Sequence, residues 1–139
     1  EDDERLGRVV EPAHEIVTYE DYVTRYAQYG ADPDLKALKA AAPWLTIWDD
    51  HETANNAHLT GAENHDPEEG EGAWSDRVDA ALRAYYGWLP VREPANRLAR
   101  YGALEIGDLA TLIFLTNHLT QDRPGVRERN VARWIKALF

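Results

Sequence analysis

Apolar residues first recur at helical spacing after residue 18. Tyr22, Tyr26 and Tyr29 would share one face of a helix. Thr18 precedes two acidic residues, which is typical of an N-cap followed by an acidic first turn. Gly30 is a common residue at a helix end. We therefore predict a helix that is capped by Thr18 and ends near Gly30.

Two further helices are predicted before residue 90. Asp32-Pro33 combines a capping residue with proline at the first helical position, and the helix that follows should end before Pro43. The longest amphipathic pattern predicts a third helix that ends before Pro90. Its apolar positions are Trp74, Val78, Ala81, Leu82, Tyr85 and Leu89.

The remaining pattern favours strands and loops. The apolar run Trp44 to Trp48 predicts a short buried strand, and residues 101–115 predict a β-hairpin that turns at Gly107-Asp108. Residues 1–17 are predicted to be an irregular arm, 49–72 a long polar loop and 126–139 a C-terminal helix. We expect a single α+β domain that is rich in helix.

Composition narrows the class of protein. The chain has 139 residues, 44% of them hydrophobic, with five Trp and seven Tyr, which argues for a folded domain. A net charge of -10 argues against a nucleic-acid groove or an anionic membrane surface, and no apolar run is long enough to span a membrane. Without cysteine, disulfides and thiolate metal sites are excluded. Because the chain also lacks methionine, we expect it to be a processed or excised piece of a longer protein.

A cluster of polar side chains follows the predicted strand. Carboxylate and amide oxygens with one imidazole are the donors that a divalent or trivalent cation requires, and crowded carboxylates near a core need a compensating positive charge. We therefore predict a cation site. The alternative is a helix start, in which an aspartate caps the first turn and the glutamate lies within it. The cluster comprises Asp49, Asp50, His51, Glu52, Asn55 and Asn56.

Spacing does not decide which members of the cluster would bind a cation. Asp49 and Asp50 are adjacent, so at the end of an extended segment they point in opposite directions. Asn55 and Asn56 follow at a distance that one helical turn would bring back over the acids. Their amide oxygens could bind Ca²⁺, and a turn or capping role is the alternative. Asn64 and His65, in the polar loop, could reach substrate or could be ordinary exposed residues.

The stretch from Ile47 to Asn56 resembles the WDDHE-x-x-N signature of alkaline phosphatase D-like (PhoD-like) metallophosphatases. The similarity extends in order over roughly residues 7 to 115. It includes Val10 to Thr18 and Arg25 to Tyr29 upstream, and Gly61 to His65 and Ala84 to Arg92 downstream. The chain departs from the family's Leu-Asp-Thr-Arg pattern at Leu115 to His118.

The resemblance implies part of a calcineurin-like α/β sandwich. It also implies a phosphoric ester hydrolase that uses metal ions, Ca²⁺ and Fe³⁺, and a metal-activated hydroxide to hydrolyse phosphomonoesters or phosphodiesters. By the same correspondence, Asp50 would bind metal and His51 would contact the phosphate or the leaving group. Glu52 would orient His51, and Asn64 and His65 would help to bind substrate. Asp49, Asn55 and Asn56 are the further candidate metal ligands.

Other parts of the site would come from outside this chain. Family members carry further ligand motifs before residue 1 and after residue 139, so we expect the remainder of the catalytic domain, or a second copy, as a partner. The family is commonly exported, which implies a secreted, periplasmic or cell-surface protein. The alternative function is a non-catalytic acidic domain that binds Ca²⁺ or a partner chain.

Overall fold

A computed structural model of the chain describes residue 7, residues 9–98 and residues 102–114. These residues divide into two compact units. The first takes its described residues from Glu1–Thr46 and Pro67–Arg92, and the second from Ile47–Asp66 and Glu93–Phe139. The predicted C-terminal helix over 126–139 and the departure at 115–118 lie outside the described residues.

The first helix of the first unit is the predicted Thr18-capped helix, α1, over Tyr19–Gly30. The Thr18 hydroxyl accepts a hydrogen bond from the Asp21 backbone N–H, and the Asp21 carboxylate accepts one from the Thr18 N–H. This reciprocal capping box satisfies two donors that a helix start leaves open. Gly30 is the last helical residue, and Ala31 caps the end.

The other two predicted helices are also confirmed. Helix α2 covers Pro33–Ala41, and the Asp32 carboxylate accepts hydrogen bonds from the N–H groups of Asp34 (2.8 Å) and Leu35 (2.9 Å). Helix α3 covers Trp74–Trp88 and ends before Pro90, as the pattern predicts. Its N-cap, Ala73, forms no side-chain hydrogen bond, so the start of α3 has no side-chain cap.

The core of the first unit forms between α1 and α3. Tyr22 of α1 packs against three alanines of α3 that are themselves buried. The small side chains on α3 leave room for the aromatic ring of Tyr22 in this contact. The buried alanines are Ala80, Ala81 and Ala84, and the partly buried residues around them are Ile16, Tyr19, Val23 and Tyr26.

A buried arginine joins this core to the irregular arm. Arg77 is only 2% exposed, and it donates hydrogen bonds to Glu15 (2.8 Å), Glu71 (3.2 Å) and the Tyr22 hydroxyl (3.4 Å). Burial alone would lower the pKa of Arg77, but its bonds to Tyr22 and Glu15 raise it. The guanidinium therefore stays charged, and it neutralises carboxylates from two distant parts of the sequence.

The strand predicted over 44–48 is wrong. The structure assigns no strand there, and Leu45 (56% exposed) and Ile47 (46%) face solvent while Trp48 is buried. Exposure still alternates with the period of an extended chain. A strand also needs a neighbouring ladder, and among the described residues the only named strands are those of the hairpin.

The second unit contains an antiparallel hairpin within the predicted stretch. Strands β1 (Gly102–Ile106) and β2 (Ala110–Phe114) pair from Gly102 opposite Phe114 to Ile106 opposite Ala110. The turn differs from the two-residue Gly-Asp turn of the prediction. It also includes Leu109, whose N–H donates to the Ile106 carbonyl. Gly107 there has φ +52°, a conformation that glycine adopts readily.

The described residues therefore combine helices with a small antiparallel sheet, in agreement with the predicted α+β class. Residues 9–17 contain neither helix nor strand, and 49–72 contain one short 3₁₀ turn, Pro67–Glu69. Among the helices that the structure describes, none has the length and apolar character that a membrane span would need.

Candidate functional site

The polar cluster begins with a tight turn at Asp50 in the second unit. The Asp50 carbonyl accepts hydrogen bonds from the backbone N–H groups of Thr53 (2.9 Å) and Ala54 (3.0 Å). Thr53 and Ala54 are buried, so the turn is anchored from within. These two bonds close a turn directly after Asp50, and the predicted approach of Asn55 and Asn56 to the acidic residues stays a prediction.

The two adjacent aspartates lie in different environments. Asp50 is buried, with 5% exposure, whereas Asp49 is exposed. Because the two residues are adjacent, we expected their side chains to point in opposite directions. Adjacency alone did not predict which of the two would be buried. A buried carboxylate loses hydration and depends on neighbouring donors or a cation, so Asp50 and Asp49 are not equivalent as candidate cation ligands.

Glu52 lies close to the backbone of the turn. Its carboxylate accepts a hydrogen bond from the Asp49 backbone N–H, three residues earlier. This contact resembles the return bond of a capping box, although residues 50–56 form bends and turns and not the helix of the alternative prediction. The predicted role of Glu52 in orienting His51 stays a prediction, since the described hydrogen bond is to Asp49.

His51 projects from the turn beside Asp50. Its Nε2 atom lies 3.9 Å from Asp50 Oδ2, and its side chain is 68% exposed while that of Asp50 is 6% exposed. The distance exceeds that of a hydrogen bond but still brings opposite charges into contact when the ring is protonated. The pair therefore offers a buried acceptor and an accessible imidazole on consecutive residues.

Asn55 is bound to the segment around Glu63 by three hydrogen bonds. Its backbone N–H donates to Asn64 Oδ1 (2.8 Å), and its Nδ2 donates to Glu63 Oε2 (2.8 Å). Its carbonyl accepts from the Glu63 N–H (2.9 Å). Asn64, predicted to bind substrate, thus uses its side-chain oxygen to hold the backbone of Asn55.

Asn56 shares the same acceptor. Its Nδ2 also donates to Glu63 Oε2, so one carboxylate oxygen receives both asparagine amides. Asn56 has φ +51°, the left-handed conformation that asparagine tolerates better than most residues. The backbone conformation of Asn56 and its side-chain bond to Glu63 therefore both support this turn. The predicted role of the two asparagines as cation ligands remains a prediction.

Sequence reasoning missed Glu63. The loop from 49 to 72 contains several glutamates, and their spacing does not distinguish the one that folds back onto residues 55 and 56. A tight turn between His58 and Gly61, whose backbones exchange hydrogen bonds, brings Glu63 there. His65 is half-buried in the same loop, and the structure does not test its predicted contact with substrate.

Among the described residues, acidic and imidazole side chains do not assemble into a cation site by themselves. No group of three or more His, Cys, Asp or Glu side chains suited to a metal ion occurs within residues 7, 9–98 and 102–114. Asp50 and His51 provide two donors side by side. A calcium or iron ion takes more protein ligands than this pair, so the pair fits part of a coordination sphere and not the whole of one.

Comparisons with known proteins agree with the resemblance noted in the sequence. A family model described as PhoD-like phosphatase matches residues 1–136. The chain is also similar to alkaline phosphatase D of Bacillus subtilis (strain 168), with 46% identity over 80 residues. That match covers 56% of this chain and 13% of the relative, so the chain spans a small part of the relative's length. No solved structure gives a significant match.

Proposed function

Because this chain belongs to the PhoD-like phosphatase family, we propose that it supplies one wall of the active site of a phosphoric ester hydrolase. The supporting observation is the pairing of buried Asp50 with accessible His51 in the family-like segment. The substrates would be small phosphomonoesters or phosphodiesters. The similarity to alkaline phosphatase D supports this class of reaction.

His51 suits a role at the leaving group. Hydrolysis of a phosphate ester releases an alcohol whose oxygen must gain a proton, and an accessible imidazole can donate one. Asp50 is held by burial and by its turn, and its Oδ2 atom lies 3.9 Å from Nε2 of the ring. In this proposal His51 contacts the ester beside the Asp50 carboxylate, and Glu52 keeps its predicted role of orienting His51. Asn64 and His65 line the substrate side of the loop.

A metal requirement forms the finer part of the proposal. The family supports a metal-dependent enzyme, and the proposed ligands are Asp49, Asp50, Asn55 and Asn56. A bound Ca²⁺ or Fe³⁺ would supply charge neutralisation at phosphorus and an activated water. Because no group of three His, Cys, Asp or Glu side chains suited to a metal occurs among the described residues, we propose that the rest of the catalytic domain, or a second copy of the chain, provides further ligands.

The same reasoning extends to the fold and the location. We propose that the small sheet belongs to a larger metallophosphatase sandwich whose other strands lie beyond the described residues. Export from the cell is proposed from the family resemblance. The exposed side chains of Leu45 and Ile47 would be covered in the sandwich, which gives a physical reason for apolar residues at these positions.

The test is hydrolysis of p-nitrophenyl phosphate and bis(p-nitrophenyl) phosphate by the purified chain with added Ca²⁺ and Fe³⁺. The variants are Asp50→Ala and His51→Ala. His14→Ala is the matched control, because its imidazole is also 68% exposed and its partner is Asp21. If a second copy of the chain completes the site, we expect metal-dependent hydrolysis that both variants abolish and the control keeps. Equal hydrolysis by His51→Ala and His14→Ala would reject the role of His51, and absence of hydrolysis would mark the chain as inactive by itself.

A further inference from the structure

Glu63 connects two segments of the second unit through side chains that the proposed function uses. We propose that Glu63 is a positioning residue, whose carboxylate fixes the side-chain amides of Asn55 and Asn56 in one orientation. This inference rests on the proposed function for its catalytic consequence, since that function places the two asparagines at the site. The orientation itself can be measured independently of activity.

The chemistry of the acceptor determines how the amides are oriented. An ionised carboxylate can only accept hydrogen bonds, and an asparagine can offer it only the amide nitrogen. The Nδ2 atoms of Asn55 and Asn56 both donate to Glu63 Oε2, at 2.8 Å for Asn55. Exchanging nitrogen and oxygen in either amide would place an oxygen against the carboxylate and repel it. Glu63 therefore fixes the direction of both amide oxygens as well as both nitrogens.

Backbone hydrogen bonds also hold Asn55 close to Glu63. The Glu63 N–H donates to the Asn55 carbonyl at 2.9 Å, so the carboxylate and the asparagines are held by one connected set of bonds. Asn64 adds the bond to the Asn55 N–H at 2.8 Å. Since a rotation of one amide about its last torsion would otherwise be inexpensive, the charged acceptor is the feature that selects one of the two amide orientations.

A fixed orientation matters for chemistry because the two ends of an amide are opposite in polarity. An oxygen directed at the site suits a cation or a proton donor, whereas a nitrogen suits a phosphate oxygen. With one N–H of each amide bound to Glu63, the oxygens are turned away from the carboxylate. Glu63 would thereby favour an acceptor function for Asn55 and Asn56, without itself touching substrate.

The first measurement is NMR of the side-chain amide groups of Asn55 and Asn56 in the wild-type chain, Glu63→Ala and Glu63→Gln. A bond to a carboxylate shifts one amide proton of each pair and slows its exchange. We expect Glu63→Ala to abolish both effects and Glu63→Gln, which keeps a neutral acceptor, to retain part of them. The matched control is Glu105→Ala, because Glu105 is an exposed carboxylate in β1 of the same unit. Unchanged Asn55 and Asn56 signals in Glu63→Ala would overturn the proposal.

The second measurement separates positioning from simple support of the loop. With the same two esters, we expect Glu63→Ala to lower kcat about 10- to 100-fold with little change in KM, with partial recovery in Glu63→Gln. Unaltered kcat together with altered amide signals would reduce Glu63 to a structural role and reject positioning for catalysis. If the wild-type chain hydrolyses neither ester, the proposed function fails for this chain, while the amide signals still decide whether Glu63 fixes both asparagines.

Discussion

Arg77 and Glu15 form an ion pair of 2.8 Å although 62 residues separate them in the sequence. The guanidinium end lies in the core, where the Arg77 side chain is 1% exposed, and the carboxylate end is 41% exposed. Glu71 provides the second carboxylate at 3.2 Å. The pair therefore links the irregular arm to helix α3. The buried guanidinium would be unfavourable in the core without a carboxylate partner.

Replacement of this guanidinium should be costly. Arg77→Met keeps much of the side-chain volume but leaves Glu71 and the Tyr22 hydroxyl without their donor in a partly or fully buried setting. We expect the free energy of unfolding, measured with urea, to fall by about 2–4 kcal/mol. Arg83→Met is the control, because its pair with Asp79 is 3.9 Å long and about half exposed on both sides. A loss of about 1 kcal/mol or less is expected there, and equal losses would contradict the prediction.

Asp21 should make the free energy of unfolding depend on pH in the acidic range. Desolvation would raise its pKa, but the N–H groups of Thr18 and Val17 and the His14 ring lower it from 3.8 to about 2. A carboxyl whose pKa is lowered in the folded state stabilises the protein above its unfolded pKa, and that contribution disappears as the pH falls towards the folded pKa.

The relevant interval is therefore pH 4 to pH 2. Over it we expect the free energy of unfolding to fall, with a contribution from Asp21 of about 1 kcal/mol, because solvent screens a carboxylate near the surface. Asp21→Asn should show a flatter dependence over the same interval in urea titrations at several pH values. Equal slopes for wild type and variant would contradict the assignment to Asp21.

A glycine within α3 offers a stabilising substitution. Gly87 is helical, and a β-carbon added to it would meet no atom within 4 Å. Gly87→Ala should therefore raise the free energy of unfolding by about 0.5–1 kcal/mol, since alanine loses less backbone entropy on folding. Gly70→Ala is the contrasting variant: the space is equally open, but φ is +92°. There we expect destabilisation, and thermal unfolding should show melting temperatures that move in opposite directions.

The hairpin should be sensitive at its open end. A β-carbon at Gly102 would lie 3.0 Å from two ring atoms of Phe114, its partner across the strands. Gly102→Val should force the ring aside and destabilise the hairpin by about 1–2 kcal/mol, seen as faster hydrogen exchange in β1 and β2. Ala103→Val, at the next and exposed position, should leave exchange unchanged or slower, because branched residues favour strands. Faster exchange in both variants would argue against the contact with Phe114.

The three described α-helices and the hairpin were predictable because their determinants are local. Thr18 and Asp21 are three residues apart and complete a capping box by themselves, and Asp32 caps α2 in the same way. Pro90 and Gly107 act on their own backbone, so the end of α3 and the position of the hairpin turn also follow from short stretches. The family resemblance likewise depends on contiguous residues, above all those from Trp48 to Asn56.

The tertiary structure decided the features that depend on distant partners. A strand over 44–48 needs a ladder from elsewhere, so the apolar run alone did not determine one. The burial of Asp50 and the exposure of Asp49 depend on what packs around a turn whose residues look equivalent in sequence. Glu63 and Arg77 acquire their roles through partners that only folding brings within 3 Å. Charge and spacing identified the polar cluster, while the direction and partners of each side chain came from long-range packing.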